Sequence, residues 1–142
     1  MKLELQKQEL DLRNIKIYEY DFKTCNAVTL FIDGNYCIGI KKNITSREKF
    51  WLLEHELEHI KSGLTYHIND DKFIINQAER KVNERMILKN QIVSLIYNAV
   101  ESGMKKDEIC EVYSIPSDVY DLAIEHIKKR LIMTAYNYYL DR

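Results

Sequence analysis

The sequence predicts an α+β fold, a small antiparallel β-sheet packed on one long helix and followed by helices only. Three observations predict it. Strand-like alternation and β-rich runs are confined to residues 15–40. From Thr45 onward, apolar residues recur at helical spacing between recognisable caps. One proline and four glycines interrupt the 142 residues, and most of them fall where an element should end. The chain reads as one domain over residues 1–142, with a helix and sheet part over 1–44, central helices over 45–88 and a helical part over 89–142.

The elements follow in order. Residues 3–13 look weakly helical. Tyr18, Tyr20 and Phe22 alternate with Glu19, Asp21 and Lys23 as a strand would, but Ile15 and Ile17 stand on the other parity and leave its register open. Ala27 to Ile32 and Tyr36 to Ile40 are short β-rich runs joined by Asp33-Gly34-Asn35, a hairpin turn. Thr45, with Glu48 three residues on, forms a capping box. The helix it opens runs to about Ser62, where Gly63 stops it. A second helix starts after Asn69-Asp70-Asp71 and runs to about Leu88, and a third covers about Gln91 to Glu101. Lys106 to Tyr113 and Ser117 onward form a helix pair around Ser114-Ile115-Pro116, and the last helix reaches about residue 138.

Composition narrows the function. A hydrophobic content of 46% supports a sizeable core, and a formal net charge of −1 provides no strong pull on nucleic acid or membrane. The N-terminus lacks the apolar core of a signal peptide, and no stretch is long and apolar enough to span a bilayer. Cys25, Cys37 and Cys110 are odd in number and lack metal-ligand spacing. The expectation is a cytoplasmic protein whose cysteines are reduced and buried as small hydrophobes.

The run His55-Glu56-Leu57-Glu58-His59 carries the chemistry. It fits H-E-x-x-H, and on a helix residues four apart share a face, so two imidazoles can hold one metal ion. At about 100° per residue, His55, His59 and Leu52 share a sector, Glu56 stands at its edge, and Phe50, Leu53, Leu57 and Ile60 gather opposite. Glu54, Glu58 and Lys61 lie between. Catalytic zinc needs a third protein ligand. Glu79 is the candidate, because it interrupts an apolar stripe of Ile75, Val82 and Met86, and a carboxylate there is costly unless paired or metal-bound. An ion pair with a buried Arg or Lys is the competing explanation. Glu84 falls on the polar side. Zn2+ at His55, His59 and Glu79 leaves room for a water of lowered pKa, with Glu56 placed as general base and peptide hydrolysis as the natural reaction. Tyr66 and His67, after the helix, are read as ordinary loop residues, although their loop could reach the cleft.

The stretch from Ser46 to His59 resembles the active-site helix of ImmA/IrrE-type metallo-endopeptidases, in which a β-hairpin precedes H-E-[LI]-G-H. Glu79-Arg80-Lys81-Val82-Asn83 is similar to that family's later motif, a glutamate three residues before an A-N pair, with Val82 in place of alanine. Glu108 to Ile115 looks like its E-[LI]-A-x-x-F-x-V stretch, with Cys110 in place of alanine. The resemblance covers about residues 27–125. It implies His55, His59 and Glu79 as zinc ligands, Glu56 as the base and, as protein substrate, a helix-turn-helix repressor of a phage or bacterial system. Glu58 stands where that family has glycine, so it narrows the cleft, adds charge to it or points to solvent.

Two other classes compete. The helix pair around Ser114-Ile115-Pro116 has the spacing of a DNA-binding helix-turn-helix, but Asp118, Asp121 and Glu125 would face phosphates, and Lys105, Lys106 and Lys128-Lys129-Arg130 read as solvated surface. The other is a non-catalytic, zinc-stabilised domain that grips a repressor without cutting it, a reading that Glu58 and the small size keep open. Tyr136, Tyr138 and Tyr139 read as packing rather than as a partner surface. Oligomeric state stays open.

Overall fold

A computed structural model describes residues 3–66 and 69–140, apart from the side chains of Tyr136, Tyr138, Tyr139 and Leu140. His67 and the packing expected of the three tyrosines lie outside the described residues. The elements are α1 (Leu3–Leu12), β1 (Lys16–Tyr20), β2 (Ala27–Ile32), β3 (Asn35–Lys41), α2 (Ser46–Ser62), α3 (Lys72–Lys89), α4 (Ile92–Glu101), α5 (Lys106–Val112) and α6 (Ser117–Leu140). The fold is α+β, with a mainly helical C-terminal half.

The sheet is mixed, not antiparallel. Its order is β1-β3-β2, with β2 antiparallel and β1 parallel to β3. Burial explains this. Ile38 and Ile40 of β3 are 0% exposed, so β3 takes the centre. Asp33 and Gly34, at φ 51° and 80°, close the two-residue turn that folds β2 back along it. β1 then occupies the other edge, and the link 21–26 crosses the end of β3, where Lys41 N donates to Asn26 O and Lys42 N to Tyr20 O. β1 and β2, neighbours in sequence, are not neighbours in the sheet, so the expected all-antiparallel sheet does not form.

The open register of β1 is settled by the isoleucine parity. Ile15 is buried and Ile17 half-buried, whereas Tyr18 and Tyr20 are 57% and 63% exposed. The inner face of the sheet packs on α2 and α1, and Leu10, Ile15, Ile38, Ile40, Leu53 and Leu57 form one core cluster. On the outer face Phe22 lies against Gly39, where a Cβ would come within 2.9 Å of the ring. That face lines a cavity of about 630 Å³ with Tyr18, Tyr20, Val28, Leu30 and Ile32. Cys37 shares the outer parity and is only half-buried, as is Cys110, while Cys25 in the link is exposed. No disulfide joins the three, as expected, but none is fully buried: Cys37 lies on the uncovered sheet face, Cys25 in the link and Cys110 on α5.

The helix boundaries match their sequence signals. Thr45 accepts from Glu48 N at 3.1 Å and caps α2, and Gly63 ends it at φ 68°. Asp71 Oδ1 accepts from Phe73 N at 2.8 Å at the start of α3. The chain forms two compact units, Met1–Val82 and Asn83–Arg142. In the second, α4 and α5 pack on α6 around Ile96, Ile109, Ile115 and Ala123, all 0% exposed. There Lys106 Nζ lies 3.0 Å from Asp121 Oδ1. Among the described residues, no helix is long and apolar enough to cross a membrane.

Candidate metal centre

Helix α2 is enclosed on more than one side. The sheet covers Leu53 and Leu57, while α1 lies along the flank that carries Glu54 and Glu58. Gln6 of α1 donates to Phe50 O at 2.8 Å and to Glu54 Oε1 at 3.2 Å, both buried. Glu58, 4% exposed, is held by Lys61 at 3.4 Å, and Lys61 also pairs with Glu9 of α1 at 3.1 Å. Glu58 thus turns toward α1. It neither joins the histidine stripe nor points to solvent.

His55 and His59 stand one turn apart, their rings 4.9 Å between centroids at 75°. Helix α3 brings Glu79 across from them. Its carboxylate lies 2.7 Å from His55 Nε2 and 3.0 Å from His59 Nε2. One ligand atom from each of the three residues lies within 4.8 Å of the others. Donors around a tetrahedral ion with bonds of about 2.0–2.1 Å lie roughly 3.4 Å apart. The trio therefore fits a metal ion after a small opening, and two imidazoles with one carboxylate are a donor set zinc accepts. Glu84 is exposed and lies 3.9 Å from His126, so it takes no part.

Protons hold the site together in this arrangement. His59 Nδ1 lies 2.6 Å from Leu64 O, and its Nε2 faces Glu79 Oε1. Both partners are acceptors and so favour a ring protonated on both nitrogens. Burial works against that charge, but Glu79, the Leu64 carbonyl and Glu56 outweigh it and raise the His59 pKa above its ordinary value. Burial also pushes the Glu79 carboxyl upward, yet hydrogen bonds from His55, His59 and Tyr66 hold it well below the usual carboxylate range. A metal would take the place of the Nε2 proton on His59. The bond from Nδ1 to Leu64 O would remain to fix the ring, the support a metal-bound histidine needs. The left-handed Gly63 turns the chain so that Leu64 can supply it.

No family model matches the chain. No curated protein matches it either. Among solved structures, it is similar to the metallopeptidase zymogen of Pyrococcus abyssi abylysin, at 22% identity over 64% of this chain and 96% of that one, with a TM-score of 0.35. At that score the likeness carries no weight for function, and the resemblance to ImmA/IrrE-type peptidases rests on the motifs quoted above.

Two side chains at the site are not evident from the sequence motif. Tyr66 is not an ordinary loop residue, because its hydroxyl donates to Glu79 Oε1 at 2.9 Å. Burial and the Glu79 carboxylate push that hydroxyl up to about 12, so it stays a donor at neutral pH. Thr29, on the inner face of β2, donates its hydroxyl to Glu56 Oε2. The signal for Thr29 lies in the strand Ala-Val-Thr-Leu-Phe-Ile, where it is the one polar residue and shares the parity of Ala27 and Phe31. Tyr66 carries no comparable signal. Glu56 itself is 9% exposed and lies beside the trio on α2.

Proposed function

We propose that this chain is a zinc-dependent metallo-endopeptidase of the ImmA/IrrE type that hydrolyses a peptide bond in an intracellular regulatory protein. The observation that carries this reading is the convergence of His55, His59 and Glu79 beside a separate carboxylate, Glu56, on the same helix. In this reading the first three are the zinc ligands and Glu56 is the general base. Bound zinc supplies a Lewis acid that polarises the scissile carbonyl and acidifies water.

The chain's own groups do the rest. Glu56 takes one proton from the attacking water as its oxygen bonds to the carbonyl carbon. The same carboxyl then delivers that proton to the departing amine as the C–N bond breaks, which leaves a free carboxyl end and a free amino end. A peptide suits the site because β2 is an edge strand next to Glu56, and its outer N–H and C=O groups can pair with an extended chain. The three cysteines, none of them in a disulfide, fit a reducing cytoplasm. A helix-turn-helix repressor as substrate follows from the family resemblance. The non-catalytic reading drew on Glu58, which is turned toward Lys61 and away from the trio.

Glu56→Gln tests the reading. The variant should bind zinc like the wild type and lose at least about a hundredfold in cleavage of a repressor that the wild type cuts. Equal relief of repression by the two proteins would reduce the chain to a zinc-stabilised binding domain.

A further inference from the structure

We infer that Thr29 is the positioning residue for the Glu56 carboxylate, an inference that rests on the reading of Glu56 as general base. An ionised carboxylate only accepts hydrogen bonds, so the contact between Thr29 Oγ1 and Glu56 Oε2 has one direction, with the hydroxyl donating. It commits Oε2 to the sheet and leaves Oε1 to receive a proton. Without that bond the carboxylate turns about its last torsion, which has no sharp preference of its own.

Thr29 is suited to this on three grounds. It is β-branched and sits in a strand, so its first torsion is stiff and the donor is fixed in place. Its neighbours of the same parity, Ala27 and Phe31, are apolar, so the hydroxyl is the single polar side chain that β2 presents on this face. The strand is itself anchored, since Thr29 pairs with the fully buried Ile38 of β3 and β2 packs directly on α2. The base on the helix is thereby tied to the edge strand that would carry the substrate backbone. Acids on the other flanks do not serve Glu56. Glu54 is bound by Gln6 and Glu58 by Lys61, both toward α1.

Acetohydroxamate is a suitable probe. It chelates a metal through two oxygens and donates a proton to an acceptor beside it. Its affinity for the zinc-loaded full chain is measured by calorimetry for wild type, Thr29→Val, Thr29→Ser and Glu56→Gln, with zinc affinity measured separately by chelator competition. All four should bind zinc alike. Thr29→Val should bind the hydroxamate about tenfold more weakly, the scale of one hydrogen bond to a charged group. Glu56→Gln should lose at least as much, and Thr29→Ser, which keeps the hydroxyl but not the branch that fixes it, should fall between the wild type and Thr29→Val. If Thr29→Val binds like the wild type while Glu56→Gln is impaired, the positioning role is wrong and the base stands. If Thr29→Ser is as weak as Thr29→Val, strand packing explains the loss and the inference falls. If Glu56→Gln binds like the wild type, Glu56 accepts no proton there, and the reading of the base fails with it.

Discussion

Glu79→Gln removes one charge without changing the size of the side chain. In the wild type the carboxylate accepts from His55 Nε2 at 2.7 Å, His59 Nε2 at 3.0 Å and Tyr66 Oη at 2.9 Å. An amide replaces one of those acceptor oxygens with a donor, so at least one contact sets donor against donor. Toward zinc the loss is larger. Four-ligand structural zinc sites are worth about 10–16 kcal/mol, or roughly 2.5–4 kcal/mol per ligand, which corresponds to a fall of about two to three powers of ten in affinity. Zinc at one hundred times the wild-type Kd stabilises the protein by about 2.7 kcal/mol. The variant at the same concentration keeps only about 0.06–0.4 kcal/mol. For a chain of 142 residues a kcal/mol shifts Tm by about 4 °C, so zinc should raise the wild-type Tm by about 10 °C and that of Glu79→Gln by less than about 2 °C. Differential scanning fluorimetry with zinc and with EDTA gives both shifts. Glu84→Gln, one turn and a half further along α3 and exposed, is the control and should keep the full shift. A full shift in Glu79→Gln, or its loss in Glu84→Gln, refutes the assignment of the third ligand.

Metal-free protein should show a stability window set by the two shifted groups. His59 is raised from 6.5, so its contribution is complete below pH 6.5 and fades as pH rises through the folded value. Glu79 is lowered from 4.5, so its contribution is complete above pH 4.5 and fades as pH falls through the folded value. Melts in EDTA should therefore lose stability above about pH 6.5, and a Tm that climbs steadily from pH 6 to 8 contradicts this. Zinc affinity should move the opposite way and weaken toward acid, because the ion competes with the His59 proton. Leu57→Ala, at a fully buried position between the sheet and α1, should cost about 2–5 kcal/mol in urea unfolding. Thr45→Ala should cost about 1 kcal/mol through loss of the bond to Glu48 N, with zinc affinity unchanged.

Much of the fold was legible because its signals are local. Thr45 and Gly63 bound α2, Asp33-Gly34 closes the hairpin, and Ser102-Gly103 ends α4, each through the backbone conformation of a few residues. The sheet order was not legible. It depends on which strand repays burial on the core side, and β1 pairs with β3 across an intervening segment. The surroundings of the α2 flank were not legible for the same reason. On a wheel Glu54 and Glu58 lie between the two faces, yet both are buried, because α1 returns along that flank with Gln6 and Glu9.

The sequence by itself determined the chemistry of the candidate site. Helical spacing sets His55 and His59 one turn apart with Glu56 beside them, and its place among apolar positions marks Glu79 as the carboxylate in need of a partner. Only the tertiary structure decided which groups surround that chemistry. The Leu64 carbonyl behind His59, the Tyr66 hydroxyl on Glu79, the Thr29 hydroxyl on Glu56 and the turning of Glu58 toward Lys61 all join segments distant in sequence or reached through a turn. Periodicity records the face a residue occupies on its own helix or strand. It holds no information about which other segment is packed against that face, and those packed segments set the protonation of His59 and Glu79 and the orientation of Glu56.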